Sequence, residues 1–102
     1  MRFIVIGKDG TDDQALNRRM AARDAHLALG NEMLEKKQAL SVTAILNDQG
    51  QMCGSIALVD FDSRDDLDAW LKVEPYVTGE VWKDIEVYEA KVAPSFEEFL
   101  PQ

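Results

Sequence analysis

His26 is the only histidine in the chain, and it falls in a segment whose apolar residues recur at helical spacing. Arg19 and Arg23 precede it by seven and three residues, so on a helix the three side chains project along one side. Histidine is the side chain that most readily exchanges a proton near neutral pH. Two interpretations of this side of the helix are open. His26 could be an acid–base group beside positive charge, and that charge would attract an anionic ligand. It could instead be a packed histidine beside arginines that pair with nearby acids.

A second group of polar side chains lies in the segment Glu74-Pro75-Tyr76, between a predicted short helix and the last predicted strand. Pro75 fixes its own backbone and biases Glu74 away from the helical region, and Gly79 permits a tight turn. The segment is therefore suited to hold a carboxylate and a phenol in place, although a plain helix-stopping turn with a solvated Glu74 fits the same residues. A carboxylate that reaches an imidazole fixes its tautomer and favours general acid or base chemistry.

Other kinds of site have little support in the sequence. Cys53 is the only cysteine and has no Cys or His at metal-ligand spacing, so we expect a small buried thiol in a strand, without a disulfide or a metal site. The chain also lacks a glycine-rich phosphate loop and an activated Ser or Cys nucleophile. We therefore predict no cofactor, and neither nucleotide chemistry nor hydrolysis through a covalent intermediate.

Charge and hydropathy limit the partners. The 19 acidic residues exceed the 11 basic ones and give a formal charge of −8, which opposes the phosphate attraction on which nucleic-acid binding depends. No apolar run approaches the ~20 residues that span a bilayer, and the first residues do not form a charged-then-apolar leader. We expect a cytoplasmic protein that binds neither nucleic acid nor a membrane.

The segments that must position these residues alternate between strand and helix patterns. Runs of β-branched and aromatic residues predict four strands at 2–7, 39–46, 52–61 and 81–90, and the turn Asn47-Asp48-Gln49-Gly50 predicts a hairpin between the second and third. Thr11-Asp12-Asp13-Gln14 predicts a capping box that starts a long helix, which runs to about Lys37 with Leu16, Met20, Leu27 and Leu34 at helical spacing. Ser63 predicts the cap of a second, short helix that Pro75 ends.

The predicted order β-α-β-β-α-β is the ferredoxin-like α+β pattern, a four-stranded antiparallel sheet with two helices on one face. No linker or repeat divides the chain, so residues 1–102 form one domain. The other sheet face is left bare and apolar, and pairing with a second copy would cover it symmetrically, which predicts a homodimer. The apolar C-terminal segment 91–102 is expected to dock at this dimer.

The motifs of the chain resemble those of the YciI-like (YCII-related) family, small proteins of the dimeric α+β barrel type. The resemblance covers nearly the whole chain and is carried by the first strand RFIVIG, Arg23-Asp24-Ala25-His26-Leu27, Gly54-Ser55, Glu74-Pro75-Tyr76-Val77-Thr78-Gly79 and Val81-Trp82. It implies that His26 and Glu74 form a pair that lines a pocket in each subunit. The usual acid of the family is Asp, so Glu74 departs from the pattern. One branch of the family resembles a dehydrochlorinase that acts on chlorinated hydroxyhydroquinones.

Together, the residues and the resemblance predict an enzyme without a cofactor that abstracts a proton, eliminates or isomerises. His26 would be the general acid or base and Glu74 would orient it. Arg23, Ser55 and Tyr76 would bind a small anionic or enolic substrate. The alternative is a noncatalytic dimer that binds a small ligand or serves assembly. A third alternative makes His26 an axial haem ligand, for which no other residue of the chain marks a pocket.

Overall fold

A computed structural model, which describes residues 1–100, contains four strands, three α-helices and a C-terminal 3₁₀ helix. The elements are β1 (Arg2–Asp9), α1 (Ala15–Glu35), β2 (Ala39–Leu46), β3 (Met52–Asp60), α2 (Arg64–Leu71), α3 (Pro75–Thr78), β4 (Trp82–Ala90) and the 3₁₀ helix (Pro94–Phe99). The strands form one sheet in the order β2-β3-β1-β4, and every neighbouring pair is antiparallel. The predicted ferredoxin-like α+β fold is confirmed.

The β2–β3 hairpin has the predicted turn. The Asn47 side-chain Oδ1 accepts hydrogen bonds from the backbone N–H groups of Gln49 (2.9 Å) and Gln51 (3.0 Å). Gly50 follows with φ of 77°, in the left-handed region that glycine adopts without strain. This turn fixes the register of the two strands, so that Ala44 lies opposite Ser55 and carries the rest of β2 alongside β3.

One face of the sheet forms the core with the helices. Phe3 and Val5 of β1 alternate with outward residues and are 2% and 1% exposed. They pack in one buried cluster with residues of β3, α1 and α2, namely Ala57, Val59, Met33, Leu67 and Trp70. The opposite face carries apolar side chains that are only partly covered in the protomer, namely Ile4, Ile6, Ile56, Leu58 and Tyr88. We call this second surface the open face.

The buried side of α1 differs from the periodicity that the sequence suggests. Leu16, Met20, Leu27 and Leu34, which repeat at helical spacing, are between 37% and 51% exposed. The residues of α1 that are buried are instead Ala15, Arg19, His26 and Met33. A histidine and an arginine occupy the sheet-facing side because each has a hydrogen-bond partner inside the fold, which removes the main penalty for burying polar groups.

Two helix boundaries differ from the predictions. α1 starts at Ala15, and no side chain caps its first turn; the predicted capping box is wrong, because Asp12 accepts from the Gln14 N–H (3.2 Å) and from Arg18 instead. α2 has the predicted Ser63 cap, whose hydroxyl accepts from the Asp66 N–H at 3.2 Å. It ends at Leu71, before the proline.

Pro75 therefore begins a helix and does not end one. It is the first residue of the one-turn helix α3, a position where its missing N–H is not needed. The sequence predicts that Gly79 permits a tight turn. Its φ of −83° lies outside the left-handed region, so a turn of that kind is not the reason for a glycine here. A Cβ atom at Gly79 would lie 2.8 Å from the carbonyl oxygen of Pro75 and 3.3 Å from Ala22. The close approach of the Pro75 carbonyl in the same helical turn, with Ala22 of α1 nearby, is what requires a glycine here.

Strand β2 lies beyond the cover of the helices except at its first residue, Ala39, which belongs to the core. Val42 and Ala44 share a face with the core residues Ala57 and Ser55, yet both are exposed. A trough therefore runs between α1 and β2, with Leu27 and Leu34 on one side and Val42 on the other. This trough leads to a cavity between α1 and the sheet.

Candidate active site

The side chains of His26 and Glu74 meet inside the protomer. His26 Nδ1 lies 2.6 Å from Glu74 Oε1, and the two residues are 8% and 2% exposed. α1 supplies the histidine, and the start of α3 supplies the glutamate, 48 positions later. The extended backbone of Glu74 (φ −64°, ψ 123°), which the following proline favours, turns the carboxylate back towards α1.

Glu74 Oε1 has a second donor, the backbone N–H of Tyr76 at 2.8 Å. Glu74 is therefore the N-cap of α3 as well as the partner of His26. Because Oε1 already acts as the acceptor for the Tyr76 N–H, we assign the proton of its contact with His26 to Nδ1. That tautomer leaves Nε2 as the basic nitrogen, and no partner for Nε2 occurs within residues 1–100.

Aromatic rings hold the imidazole. The Tyr76 ring stacks on His26 with centroids 3.7 Å apart and planes 8° from parallel. Trp82 presents an edge-to-face contact to both rings, at 6.1 Å from His26 and 5.7 Å from Tyr76. A Cβ atom at Gly7 would lie 2.3 Å from the Trp82 indole, so β1 needs glycine where the tryptophan packs. These contacts leave the imidazole little freedom to rotate.

A second buried polar group adjoins this aromatic cluster. Arg19 Nη1 donates to both carboxylate oxygens of Asp9 (3.0 and 3.1 Å), and Nη2 donates to Ser55 Oγ at 2.9 Å. Trp82 Nε1 donates to the same hydroxyl at 3.3 Å. Arg19 also lies 4.7 Å from the centroid of the Tyr76 ring, a cation–π distance.

Two pKa shifts reflect the burial of these residues. Burial raises the pKa of Asp9, and the hydrogen bonds and charge of Arg19 oppose that rise. Burial likewise raises the pKa of the Tyr76 phenol, against the positive charges of Arg19 and Arg23. Tyr76 therefore remains neutral at physiological pH and contacts His26 as an uncharged ring.

The pair opens onto a cavity of about 380 Å³ between α1 and the sheet. His26, Glu74, Ser55 and Trp82 form its polar wall. Apolar side chains form most of the remainder, namely Leu27, Met33, Leu34, Ala39, Leu40, Val42, Ala57, Val59 and Trp70. The arrangement can hold a small, mostly apolar molecule with its polar end against the imidazole.

The predicted site residues are distributed as follows. His26, Glu74 and Ser55 all line the cavity, whereas Tyr76 lies behind His26 and does not. Arg23 is half-buried beside the site and does not line the cavity either. Their roles remain predictions. The structure joins His26 to Glu74 and links Ser55 to Arg19 and Trp82, neither of which the sequence predicted to bind the substrate.

The predicted basic surface around His26 is largely neutralised. Arg18 makes a two-pronged ion pair with Asp12 (2.8 and 2.6 Å), and Arg19 is 2% exposed and paired with Asp9. The sequence contained one signal for the second pair, because Arg19 precedes His26 by two helical turns and must share its sheet-facing side.

Several further expectations bear on the site. Cys53 is partly exposed on β3, not fully buried as expected. Within residues 1–100, no group of three or more His, Cys, Asp or Glu side chains could hold a metal ion. In the same part of the chain, no helix combines the length and apolar character needed to cross a bilayer.

Comparison with known proteins gives a consistent group of relatives. The family model of the YCII-related domain matches residues 1–91. Protein YciI of Escherichia coli is 27% identical over 93 residues, which cover 85% of this chain and 93% of that protein. The protein YciI of Shigella flexneri matches to the same extent.

Two solved structures share the fold at lower identity. The 5-chloro-2-hydroxyhydroquinone dehydrochlorinase of Burkholderia phenoliruptrix, in complex with 2,5-dihydroxybenzoquinone, superimposes with a TM-score of 0.79 at 21% identity, covering 93% of this chain and 98% of that chain. Rv0793 of Mycobacterium tuberculosis gives a TM-score of 0.59 at 16% identity, covering 92% and 99%. At these identities the likeness concerns the fold.

Proposed function

We propose that this chain, which belongs to the YCII-related family, is a small-molecule enzyme that transfers protons with His26 and Glu74 and needs no cofactor. The observation that carries the proposal is the 2.6 Å contact of Nδ1 with Glu74 Oε1 in the wall of an apolar cavity. It leaves Nε2 as the basic nitrogen of a buried, oriented imidazole. That is the equipment of a general base.

The reaction would use the two nitrogens differently. Nε2 would accept a proton from an acidic C–H or O–H group of the ligand, and the imidazolium formed would be stabilised by the Glu74 carboxylate. If the electron pair left on the ligand expels a leaving group, the result is elimination. If Nε2 returns the proton to another atom, the result is isomerisation. Neither course requires a covalent intermediate.

The substrate class that we propose is a small oxygenated cyclic compound. A single ring fits the apolar part of the cavity, and its oxygen substituents would face the wall that His26 and Ser55 form. The structural neighbour from Burkholderia is a dehydrochlorinase of 5-chloro-2-hydroxyhydroquinone, and a proton and a chloride ion leave in such a reaction. This reaction needs a base but no oxidant, which fits the His26–Glu74 pair.

One observation favours the alternative, a noncatalytic ligand-binding module. Most of the cavity wall is apolar, and such a wall retains a ring by burial alone, whatever His26 does. The two functions differ in whether a bound ligand changes chemically.

Release of chloride from 5-chloro-2-hydroxyhydroquinone under anaerobic conditions tests the proposal. We expect turnover by the wild type, and a loss of about a hundredfold or more in His26→Asn, because Asn cannot act as a base. Asn31→Ala, at an exposed polar residue of the cavity lining, is the control and should remain active. Equal turnover by wild type and His26→Asn would refute the acid–base role. Binding of 2,5-dihydroxybenzoquinone without any turnover of the chlorinated compound would support the alternative.

A further inference from the structure

One hydroxyl in the cavity wall, that of Ser55, has partners in the protein for all but one of its possible hydrogen bonds. Ser55 is 2% exposed, and its Oγ accepts from Arg19 Nη2 at 2.9 Å and from Trp82 Nε1 at 3.3 Å. A serine hydroxyl has two acceptor lone pairs and one donor hydrogen. Both lone pairs are therefore occupied, and only the hydrogen remains.

That hydrogen cannot be donated back to either neighbour. Guanidinium and indole N–H groups have no acceptor capacity. No acceptor for Ser55 Oγ occurs in the described part of the chain, and Ser55 lines the cavity. The unassigned hydrogen is thus available to whatever molecule occupies the cavity.

We propose that the Ser55 hydroxyl donates its hydrogen bond to an anionic oxygen of the ligand. Arg19, Asp9 and Trp82 are then residues that position this hydroxyl. The inference rests on the proposed function, because it places a second polar contact on the ligand whose proton His26 would take. Trp82 contacts both residues, through Nε1 to Ser55 and through its ring edge to His26. Ser55 and His26 therefore occupy neighbouring parts of the wall, where one ligand oxygen can lie near both.

The partners of Ser55 make it a stronger donor than an isolated serine. Arg19 carries a positive charge, and a hydroxyl that accepts from a charged donor is polarised, which strengthens the bond that it donates. Asp9 holds the other end of the guanidinium and keeps Nη2 directed at Ser55. Neither Arg19 nor Asp9 lines the cavity, so they act on the ligand through the serine.

The ligand class follows from the two ends of the cavity. Apart from Asn31 and Ser41, the rest of the lining is apolar, and it contains no cationic side chain to pair with a second negative charge, so the ligand carries one acidic oxygen at the polar end and an apolar body. A phenolate or an enolate of one ring has this form. A neutral ether of the same shape lacks the anionic oxygen and should lose this contact.

The test compares two probes of nearly equal shape, 4-nitrophenol and 4-nitroanisole, by isothermal titration at a pH where the phenol is already ionised in solution. Under this condition His26 need not remove a proton. We expect the wild type to prefer the phenolate, and Ser55→Ala to weaken phenolate binding about tenfold or more while the affinity for the anisole stays the same. Asn31→Ala, which alters another polar residue of the lining, one that is exposed at the surface, should keep the preference.

Further variants separate this inference from the acid–base proposal and from folding defects. His26→Asn should retain the preference for the phenolate even if it abolishes turnover. Arg19→Lys keeps the charge but loses one of the two arms, so we expect an intermediate preference in a protein whose circular dichroism is unchanged. The inference is refuted if the wild type binds neither probe or binds both with equal affinity. It is also refuted if Ser55→Ala weakens the binding of both probes equally.

Discussion

Glu74 performs two tasks with one carboxylate oxygen. Oε1 accepts from His26 Nδ1 and from the Tyr76 N–H, so the atom that orients the imidazole also starts helix α3. The hydrogen bond that starts the helix fixes the carboxylate before any ligand binds. The histidine is thus aligned by the fold itself, which is what a general base requires.

Substitution of Glu74 by Asp should separate these two tasks. Aspartate caps helices well and should keep α3, but the buried imidazole loses its partner, so we expect the free energy of unfolding to fall by about 1–3 kcal/mol. Its carboxylate is shorter by one methylene, about 1.5 Å, and should no longer hold Nδ1. The ¹⁵N chemical shifts of His26 should then show a mixture of tautomers, with reduced turnover.

Glu74→Gln is the complementary variant. Its amide oxygen can still accept from Nδ1 and from the Tyr76 N–H, but it bears no charge to stabilise an imidazolium. We expect the wild-type tautomer with reduced turnover. A Glu74→Asp protein that keeps both the Nδ1–H tautomer and full turnover would contradict this account of Glu74.

Among the elements, α1 shows how helical spacing alone can select the wrong side. Met20 belongs to the apolar repeat and is 51% exposed, whereas Met33 lies outside that repeat and is 5% exposed. We expect Met33→Ala to lower the free energy of unfolding by about 2–5 kcal/mol, because it opens a space in the core. Met20→Ala should change it by less than about 0.5 kcal/mol. Urea denaturation of both variants checks this, and similar losses would contradict the assigned orientation of α1.

The start of α1 gives a prediction about pH. The hydrogen bonds from the Arg18 guanidinium hold the pKa of Asp12 well below its usual value. The folded protein therefore binds fewer protons here than the unfolded chain, and stability rises with pH through this range. The contribution is complete above about pH 4, the ordinary aspartate value, and is lost as the pH falls further.

Asp12→Asn removes this contribution, so it should be less stable than the wild type at pH 6, and the difference should shrink as the pH falls below about 4. Urea denaturation across this range measures both proteins. Asp13→Asn, at a neighbouring position where no ion pair occurs within residues 1–100, is the control. A difference that grows towards acid pH would contradict the assignment.

The strands and the hairpin could be predicted because their signals are local. Asn47 and Gly50 fix the turn, and β-branched runs mark the strands within a few residues. The partners of Arg19 could not be predicted in this way, because Asp9 and Ser55 lie ten and 36 positions away in the chain. A charged residue on a helix predicts a solvent-facing side unless its distant partner is known.

The same distinction between local signals and distant contacts applies to the candidate site. His26 and Glu74 were suggested by the family resemblance, and only the folded chain shows that they touch. Asp9 was missed and Arg19 was assigned to a basic surface, because their pairing depends on burial, which arises when α1 packs on the sheet. Local patterns thus predict elements, while the polar contacts between elements need the tertiary structure.

At the scale of the whole molecule, the open face remains to be covered. Ile56 and Tyr88 on this face are 41% and 54% exposed. The C-terminal 3₁₀ helix is anchored beside the face by an ion pair between Arg2 and Glu97, and its Phe96 is 61% exposed. Residues 101 and 102 of the tail predicted to dock at the dimer lie outside the described residues. We propose that a second copy covers the face and the two tails.

Ile56→Glu tests this proposal, because two glutamates buried between paired sheets would lose their hydration and repel each other. We expect sedimentation at micromolar concentration to give a dimer for the wild type and a mass near 11.5 kDa for the variant. Val73→Glu places the same charge on an exposed apolar residue in the loop after α2 and should leave the dimer intact. A wild-type mass near 11.5 kDa would rule out the dimer. Loss of the dimer in Val73→Glu but not in Ile56→Glu would place the contact away from the open face.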